Sequence, residues 1–155
     1  SQFVRHHRGF EALQARLCKR RKVQPKVIVL HGPTGTGKSH TAREEILAEF
    51  DDDDLYIWHP QQGKWFDGYE GQKAVIFEEF RGQLPFGFML SILDKYDCRV
   101  ERKGSTTQFA AEVIYITSPK PPSEWYENLA TNDGQLNQLT RRITTTRHLL
   151  IRHRD

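Results

Sequence analysis

The chain has 155 residues, a formal net charge of +3 and only two cysteines, Cys18 and Cys98. This length suits one compact domain with its own core, and no apolar run approaches the roughly 20 residues that cross a bilayer, so we expect no membrane association. The two cysteines have no C-x-x-C spacing and are too few for a disulfide framework, which favours a reducing, intracellular setting. Because the first residue is Ser1 and not Met, we expect a segment of a longer protein.

Charge is distributed unevenly along the chain. Residues 1–26 hold eight Lys or Arg against one acid, residues 141–155 hold five against one, and the stretch between them carries a net charge of about −8 by difference. Two basic ends could meet the phosphates of a nucleic acid or the acidic faces of neighbouring subunits. A merely solvated basic surface is the alternative.

The first predicted element is a helix over residues 8–22. Its apolar residues Phe10, Leu13 and Leu17 share one face, and basic residues surround them. The polar stretch "RRKVQPK" follows as a linker, so the helix either docks on its own domain or contacts another subunit. We therefore divide the chain into a basic helical segment, 1–24, and a main domain, 25–155.

The main domain alternates apolar, β-branched runs with helical patterns. Strands are predicted at residues 26–31, 55–59, 73–80, 112–118 and 144–153, and helices at 38–50, 84–97, 119–129 and 134–143. Residues 98–112 predict a hairpin that turns near Gly104, and the four aspartates at 51–54 predict a solvated loop. Strands that alternate with helices indicate an α/β fold, with a parallel sheet flanked by helices on both faces.

A phosphate-binding motif lies between the first strand and the next helix. The sequence "GPTGTGKS" matches G-x-x-x-x-G-K-[ST] in the strand-to-helix context that this motif requires. Lys38 is predicted to reach the β- and γ-phosphate oxygens, and Ser39 to offer its hydroxyl to Mg²⁺. The predicted nucleotide-binding residues are Gly32, Pro33, Thr34, Gly35, Thr36, Gly37, Lys38, Ser39 and His40.

Two acids end the strand in "AVIFEE". We predict that Glu78 lies at the metal and that Glu79 orients or deprotonates the attacking water, which favours hydrolysis over transfer. No guanine-reading N-K-x-D motif is present. The strand "VIYITS" ends in Thr117 and Ser118, which could sense the γ-phosphate.

Two arginines, Arg141 and Arg142, occur in "RRIT". They are either plain surface or candidates for an arginine finger, which reaches an active site across a subunit boundary.

In order and spacing, "GPTGTGKS", "KWFDGYEGQKAVIFEEF", "VERKGSTTQFAAEVIYITS", "EWY" and "LTRRIT" resemble the helicase domain of replication initiator (Rep) proteins from circular single-stranded DNA viruses of the circovirus-like group. The resemblance covers residues 26–146. Such domains are superfamily-three helicases of the AAA+ class of P-loop NTPases, and an RNA-helicase-like domain of picornavirus type is related. The resemblance implies an ATP- and Mg²⁺-dependent DNA helicase that acts in rolling-circle replication in the host nucleus, as a hexameric ring moving on single-stranded DNA.

The resemblance also assigns roles to segments. One of the two arginines, with no choice between them, would be a finger in trans, and the segment 1–24 would serve oligomerisation. The hairpin tip, with Arg102, Lys103 and Gly104, would contact DNA, while "KWFDGY" receives only a packing role. The family's full-length protein also carries an N-terminal endonuclease domain, and no part of this chain matches it.

Two departures from the family pattern concern the site. Glu78 stands where relatives often have Asp, and Pro119 stands where many have the sensor Asn, so either Ser118 replaces that amide or γ-phosphate sensing is weaker. The histidines, including His31, are predicted to be surface residues. The alternatives left open are a nucleic-acid-binding module that uses ATP only to assemble, and a small-molecule kinase.

Overall fold

The computed structural model describes residues 24–127 and 133–150. The predicted helix at 8–22 and the end of the predicted last strand lie outside them. Seven strands and three α-helices occur in the described part of the chain. In chain order they are β1 (Lys26–His31), α1 (Lys38–Leu47), β2 (Leu55–Trp58), β3 (Ala74–Phe77), α2 (Phe86–Ile92), β4 (Arg99–Arg102), β5 (Ser105–Gln108), β6 (Val113–Ser118), α3 (Asp133–Arg142) and β7 (Thr145–His148).

Five strands form one sheet in the order β2-β3-β6-β1-β7, and every neighbouring pair is parallel. This confirms the predicted α/β class. Because β3, β6 and β1 are adjacent and parallel, their carboxyl ends meet at one edge of the sheet. Open α/β sheets bind their ligands outside this edge, and the phosphate-binding motif, the two acids and Ser118 all follow or end these three strands.

Both faces of the sheet are covered, as the continuous apolar runs predict. On one face, Ile28 and Leu30 of β1 pack with Ala42 and Ile46 of α1. The opposite face carries a larger, aromatic-rich cluster that includes residues of α2, α3 and the loops. Its fully buried aromatic side chains are Trp58, Phe66, Tyr69, Phe77, Phe80 and Phe109.

The remaining two strands, β4 and β5, pair antiparallel as a separate hairpin. Its two-residue turn is Lys103-Gly104, and Gly104 has a φ of +83°, a left-handed conformation that glycine adopts without a steric cost. The hairpin predicted over residues 98–112 is therefore confirmed, with its turn at the predicted glycine.

Several predicted boundaries are wrong, chiefly where proline intervenes. The helix predicted over 84–97 begins only after Pro85, which is its N-cap, and ends before Leu93. In the described part of 119–129 the chain forms no α-helix and has a 3-10 turn at Pro122–Glu124, because prolines remove the N–H groups that a longer helix needs. α1 ends at Leu47, three residues earlier than predicted. No helix among the described residues is long and apolar enough to cross a membrane.

Candidate active site

The phosphate-binding loop leaves β1 at Gly32, where β1 meets the chain that follows β7. The amide of Leu149 donates to the carbonyl of His31 at 2.8 Å. Gly32 has a φ of +148°, and a Cβ atom at this position would lie 2.1 Å from the carbonyl oxygen of Leu149. Only glycine fits this crossing, which fixes the start of the loop against the edge strand of the sheet.

Lys38 is the first residue of α1, where the loop ends, and is 5% exposed. Its ammonium donates to the carbonyl oxygens of Gly32 at 2.7 Å and Pro33 at 3.1 Å, and the hydroxyl of Thr36 donates to Pro33 at 2.9 Å. α1 starts directly after Gly37, so the positive end of its dipole adds to the charge of the lysine. The loop therefore concentrates positive potential of the kind that binds phosphates.

Ser39 and Glu78 are brought together across the sheet edge. The serine hydroxyl donates to carboxylate Oε2 of Glu78 at 2.5 Å, although 39 residues separate them. A hydroxyl and a carboxylate are oxygen donors of the type that Mg²⁺ prefers, and with its proton turned to the carboxylate the serine oxygen keeps lone pairs for a cation. The two residues fit the predicted metal site. Among the described residues there is no cluster of three or more His, Cys, Asp or Glu suited to a metal.

Glu79 is held in an unusual backbone conformation. It has a φ of +48° and is the one non-glycine residue with positive φ in the described part of the chain. Such a conformation costs about 1–2 kcal/mol and recurs at functional sites. Its amide donates to the hydroxyl of Thr117 at 3.0 Å, and the next amide, of Phe80, donates to the Thr117 carbonyl at 2.8 Å. This turn ends β3 at Phe77, three residues before the predicted end of the strand at Phe80.

Thr117 thus has a positioning role that the sequence analysis does not assign to it. The signal in the sequence is the polar pair Thr117 and Ser118 at the end of an otherwise apolar strand, and Thr117 is fully buried. The carboxylate of Glu79 is 40% exposed and lies 3.8 Å from the guanidinium of Arg81, which is also exposed. An exposed pair at this distance contributes little, so the carboxylate stays accessible.

The backbone of Ser118 contacts the phosphate-binding loop, because its carbonyl accepts a hydrogen bond from the amide of Gly32 at 3.1 Å. Its side chain is fully buried, and its hydroxyl oxygen accepts the indole N–H of Trp125 at 2.9 Å and the amide of Lys120 at 3.1 Å. The hydroxyl therefore anchors the "EWY" segment. Its role as a γ-phosphate sensor stays a prediction.

The two arginines at the end of α3 have different surroundings. Arg142 donates to Asp94 at 2.9 Å and to the carbonyl of Gln138 at 2.6 Å, and its side chain is only 16% exposed. Arg141 is exposed, and its guanidinium has no hydrogen-bond or ion-pair partner in residues 24–127 and 133–150. Neither arginine bonds to the phosphate-binding loop of its own chain within the described residues.

Next to the loop, the rings of His31 and His148 stack with centroids 4.5 Å apart and planes 14° from parallel. Burial lowers the pKa of His31, and His148 and Lys38 lower it further, against the opposite effect of Glu124. Since His31 is half-buried, the prediction of a surface position for it is wrong. His40 is exposed, as predicted for the histidines, and pairs with Glu44 along α1 at 3.1 Å.

At the hairpin tip, Arg102 and Lys103 also differ. Arg102 is half-buried and donates to the carbonyl of Tyr69 at 3.2 Å, so it fastens the hairpin to the domain. The backbone amide of Lys103 donates to the carboxylate of Asp67 at 2.9 Å, while its ammonium is exposed without a partner in the described part of the chain. DNA contact by Arg102, Lys103 and Gly104 stays a prediction. Of these residues, Lys103 has the ammonium that is exposed and able to contact a phosphate.

Comparison with known proteins identifies a family for this arrangement. A family model described as RNA helicase matches residues 28–120, more than half of the chain. The chain is 39% identical over 145 residues to the replication-associated protein of Porcine circovirus 2, covering 92% of this chain and 44% of that protein. It is 40% identical to that of Goose circovirus (81% and 41% covered) and 35% identical to that of Beak and feather disease virus (92% and 45% covered). The chain thus spans less than half the length of these relatives.

The fold is similar to that of a solved AAA+ chain. Hsp104, in a closed-state cryo-EM reconstruction with ATPγS and FITC casein, superposes with a TM-score of 0.52 at 16% sequence identity, covering 81% of this chain and 29% of that chain. A likeness at this identity concerns the fold alone.

Proposed function

Because the chain belongs to the RNA helicase family, as the superfamily-three, AAA+ helicase domain of a circovirus-like replication-associated protein, we propose that it couples ATP hydrolysis to movement on single-stranded DNA. The observation that carries this proposal is the hydrogen bond between Ser39 and Glu78, with Lys38 and Glu79 as their chain neighbours. It joins the phosphate-binding loop to the acidic strand end, and hydrolysis of a nucleoside triphosphate needs both.

In the proposed reaction, Lys38 and the amides at the start of α1 hold the β- and γ-phosphates. Glu79, with its accessible carboxylate, orients the attacking water and accepts its proton. Ser39 and Glu78 would hold Mg²⁺, which when bound would neutralise negative charge on the β- and γ-phosphate oxygens. Thr117 acts through Glu79 by fixing the turn in which this residue lies.

We propose that Arg141 is the arginine finger and that Arg142 positions it. Arg142 joins the end of α3 to Asp94, which follows α2 in the chain. Arg142 could therefore reach a neighbouring subunit only by breaking a largely buried ion pair. Arg141, the preceding residue at the same helix end, is free to extend. A site completed by the neighbour's arginine supports assembly as a hexameric ring, with the basic segment 1–24 serving oligomerisation.

The hairpin supplies the proposed contact with single-stranded DNA. Lys103 projects a free charge from a turn that is anchored through Asp67 and Arg102, as suits a group that follows a phosphate backbone. Since the circovirus relatives are more than twice as long as their matched part, we propose that the whole protein also carries an endonuclease domain. We further propose that it acts in the host nucleus, which imaging of the tagged protein in host cells would test.

The experiment compares Lys38→Ala with Lys73→Ala, which is exposed and precedes β3 at the opposite, amino edge of the sheet. ATP turnover should vanish in the first variant and persist in the second. With ATP, Mg²⁺ and a forked duplex, the unaltered chain should separate the strands, while Lys38→Ala should not.

Turnover that survives in Lys38→Ala would refute the phosphate-loop assignment. ATP-dependent ring formation and DNA binding without strand separation would instead favour an assembly module. Particle mass with an ATP analogue, Mg²⁺ and single-stranded DNA would test the hexamer.

A further inference from the structure

Trp65 is an exposed indole beside the hairpin, and packing does not account for its position. The chain has three tryptophans; Trp58 and Trp125 are 0% and 4% exposed, whereas Trp65 is 37% exposed. Its neighbour Phe66 is fully buried in the aromatic cluster. The segment is thus anchored by one aromatic side chain while the adjacent one is presented at the surface.

The backbone that carries Trp65 is fixed on both sides. Its amide donates to the carbonyl of Gln62 at 3.1 Å, and its carbonyl accepts the side-chain amide of the same residue at 2.7 Å. The next amide, of Phe66, donates to the carbonyl of Glu101 in β4 at 2.7 Å, and Trp65 itself forms a β-bridge with Glu101. Trp65 is therefore fixed against the first strand of the hairpin, on ordered backbone and not on a loose loop.

One basic side chain, Lys64, lies over the indole. The ammonium of Lys64 lies 4.9 Å from the centroid of the Trp65 ring and pairs with Glu101 at 3.2 Å, where both side chains are at least half exposed. An exposed pair of this kind exchanges readily for a phosphate. Two residues after Trp65, Asp67 binds the amide of Lys103, so the indole and the free lysine at the tip belong to one connected surface.

We propose that Trp65 is a stacking platform for the bases of single-stranded DNA, with Lys64 and Lys103 contacting the flanking phosphates. This inference rests on the proposed function and adds a base-binding group to it. An aromatic face next to basic side chains binds single strands with little sequence preference, because every base presents a π-face. Trp65 would hold bases while Lys103 follows the backbone.

Fluorescence provides a direct test on the unaltered chain. Binding of oligo-dT should quench tryptophan emission, since Trp65 is the accessible indole, whereas an abasic oligonucleotide of equal length should bind more weakly and quench little. In Trp65→Phe the remaining emission should not respond to oligo-dT, yet most of the affinity should be kept, because phenylalanine also presents an aromatic face for stacking.

Variants separate stacking from charge. Trp65→Leu should weaken oligo-dT binding by about 5- to 150-fold, the effect of losing one stacked base, and should no longer prefer oligo-dT over the abasic strand. Tyr96→Ala is the matched control, because Tyr96 is also exposed (67%) with a lysine, Lys95, 5.4 Å from its ring centroid. Tyr96 is not part of the proposed binding surface of Lys64, Trp65 and Lys103, so Tyr96→Ala should bind oligo-dT like the unaltered chain.

The outcomes are distinct. If Lys103→Ala weakens binding but Trp65→Leu does not, or if oligo-dT and abasic strands bind alike, the stacking platform is refuted while the proposed function stands. If Trp65→Leu changes only the particle mass, Trp65 is a subunit contact and the inference fails. If the unaltered chain binds no single-stranded DNA under any nucleotide condition, both proposals fail.

Discussion

Replacing Arg141 and Arg142 singly by alanine should have different consequences: the first should lower ATP turnover, and the second should lower the stability of the domain. Arg141 is exposed and unpaired within the described residues, so its loss should change the free energy of unfolding by no more than about 0.5 kcal/mol. If it is the finger, ATP turnover should fall by about 10³-fold or more. Arg142→Ala should primarily destabilise the domain.

The size of that destabilisation follows from the pair that Arg142 forms. Its guanidinium lies 2.9 Å from a carboxylate oxygen of Asp94, and the two side chains are 16% and 23% exposed. Removing the arginine leaves a mostly buried carboxylate without this charge-assisted hydrogen bond, a loss of about 1.5–3 kcal/mol. For a chain of this size, about 2–4 °C per kcal/mol gives a melting temperature lower by about 3–12 °C.

Thermal melts and steady-state ATPase assays on both variants test this contrast. Mixing Arg141→Ala with Glu79→Gln should restore some hydrolysis, because mixed interfaces then combine an intact arginine with an intact glutamate. Asp94→Ala serves as a control, since its effect on stability should not add to that of Arg142→Ala. A stable but inactive Arg142→Ala, or no recovery at any mixing ratio, would refute the assignment of Arg141 as a finger in trans.

Three further changes probe the site. Thr117→Val removes the acceptor of the Glu79 amide, so Glu79 is less accurately positioned and ATP turnover should fall about 10- to 100-fold in kinetic assays while nucleotide affinity is kept. Gly32→Ala should lower the free energy of unfolding by more than about 2 kcal/mol in urea titrations, whereas Gly87→Ala, with nothing within 4 Å of its added Cβ, should be neutral or stabilising. Burial lowers the pKa of His31 below its usual 6.5, so the unfolded state binds the proton more readily than the folded state. The contribution of His31 to stability is therefore fully present above that pH and should be lost as the pH falls below it. His31→Phe should reduce this dependence of the free energy of unfolding on pH.

Each of these expectations has a contrary result. Equal turnover in Thr117→Val would show that the turn holds Glu79 without the hydroxyl. Equal unfolding of the two glycine variants would mean that β7 can move away from the loop at no cost. A pH slope unchanged by His31→Phe would assign the proton linkage to other groups.

The parts of the fold that were predictable depend on local pattern. Short apolar runs such as that of β1 indicate strands buried on both faces, and their alternation with helical segments indicates a parallel sheet. Element ends were less predictable, because they depend on single residues whose conformation is set by the fold. Pro85 delays α2, and the left-handed backbone of Glu79 ends β3.

For the site, the motifs predicted that Ser39 and Glu78 share one metal site, but the contacts that Thr117 and the two arginines make with distant residues were not predictable. The bond between Ser39 and Glu78 exists because two strands end at the same sheet edge. Choosing between Arg141 and Arg142 requires Asp94, which lies in another part of the chain and which no motif connects to them.

The pairing of β1 with β7 has a mechanical consequence. β1 leads directly into the loop that receives the nucleotide, and β7 follows, after two residues, the helix end that carries Arg141. Backbone bonds from Thr144 to Val27 and from Leu149 to His31 fasten the two strands at both ends. If subunits assemble in the proposed ring, each subunit would offer Arg141 to one neighbour and bind nucleotide in its own loop at the interface with the other. Because β1 and β7 are joined, the arginine and the loop would then move together, and hydrolysis at one site would shift the arginine at the next.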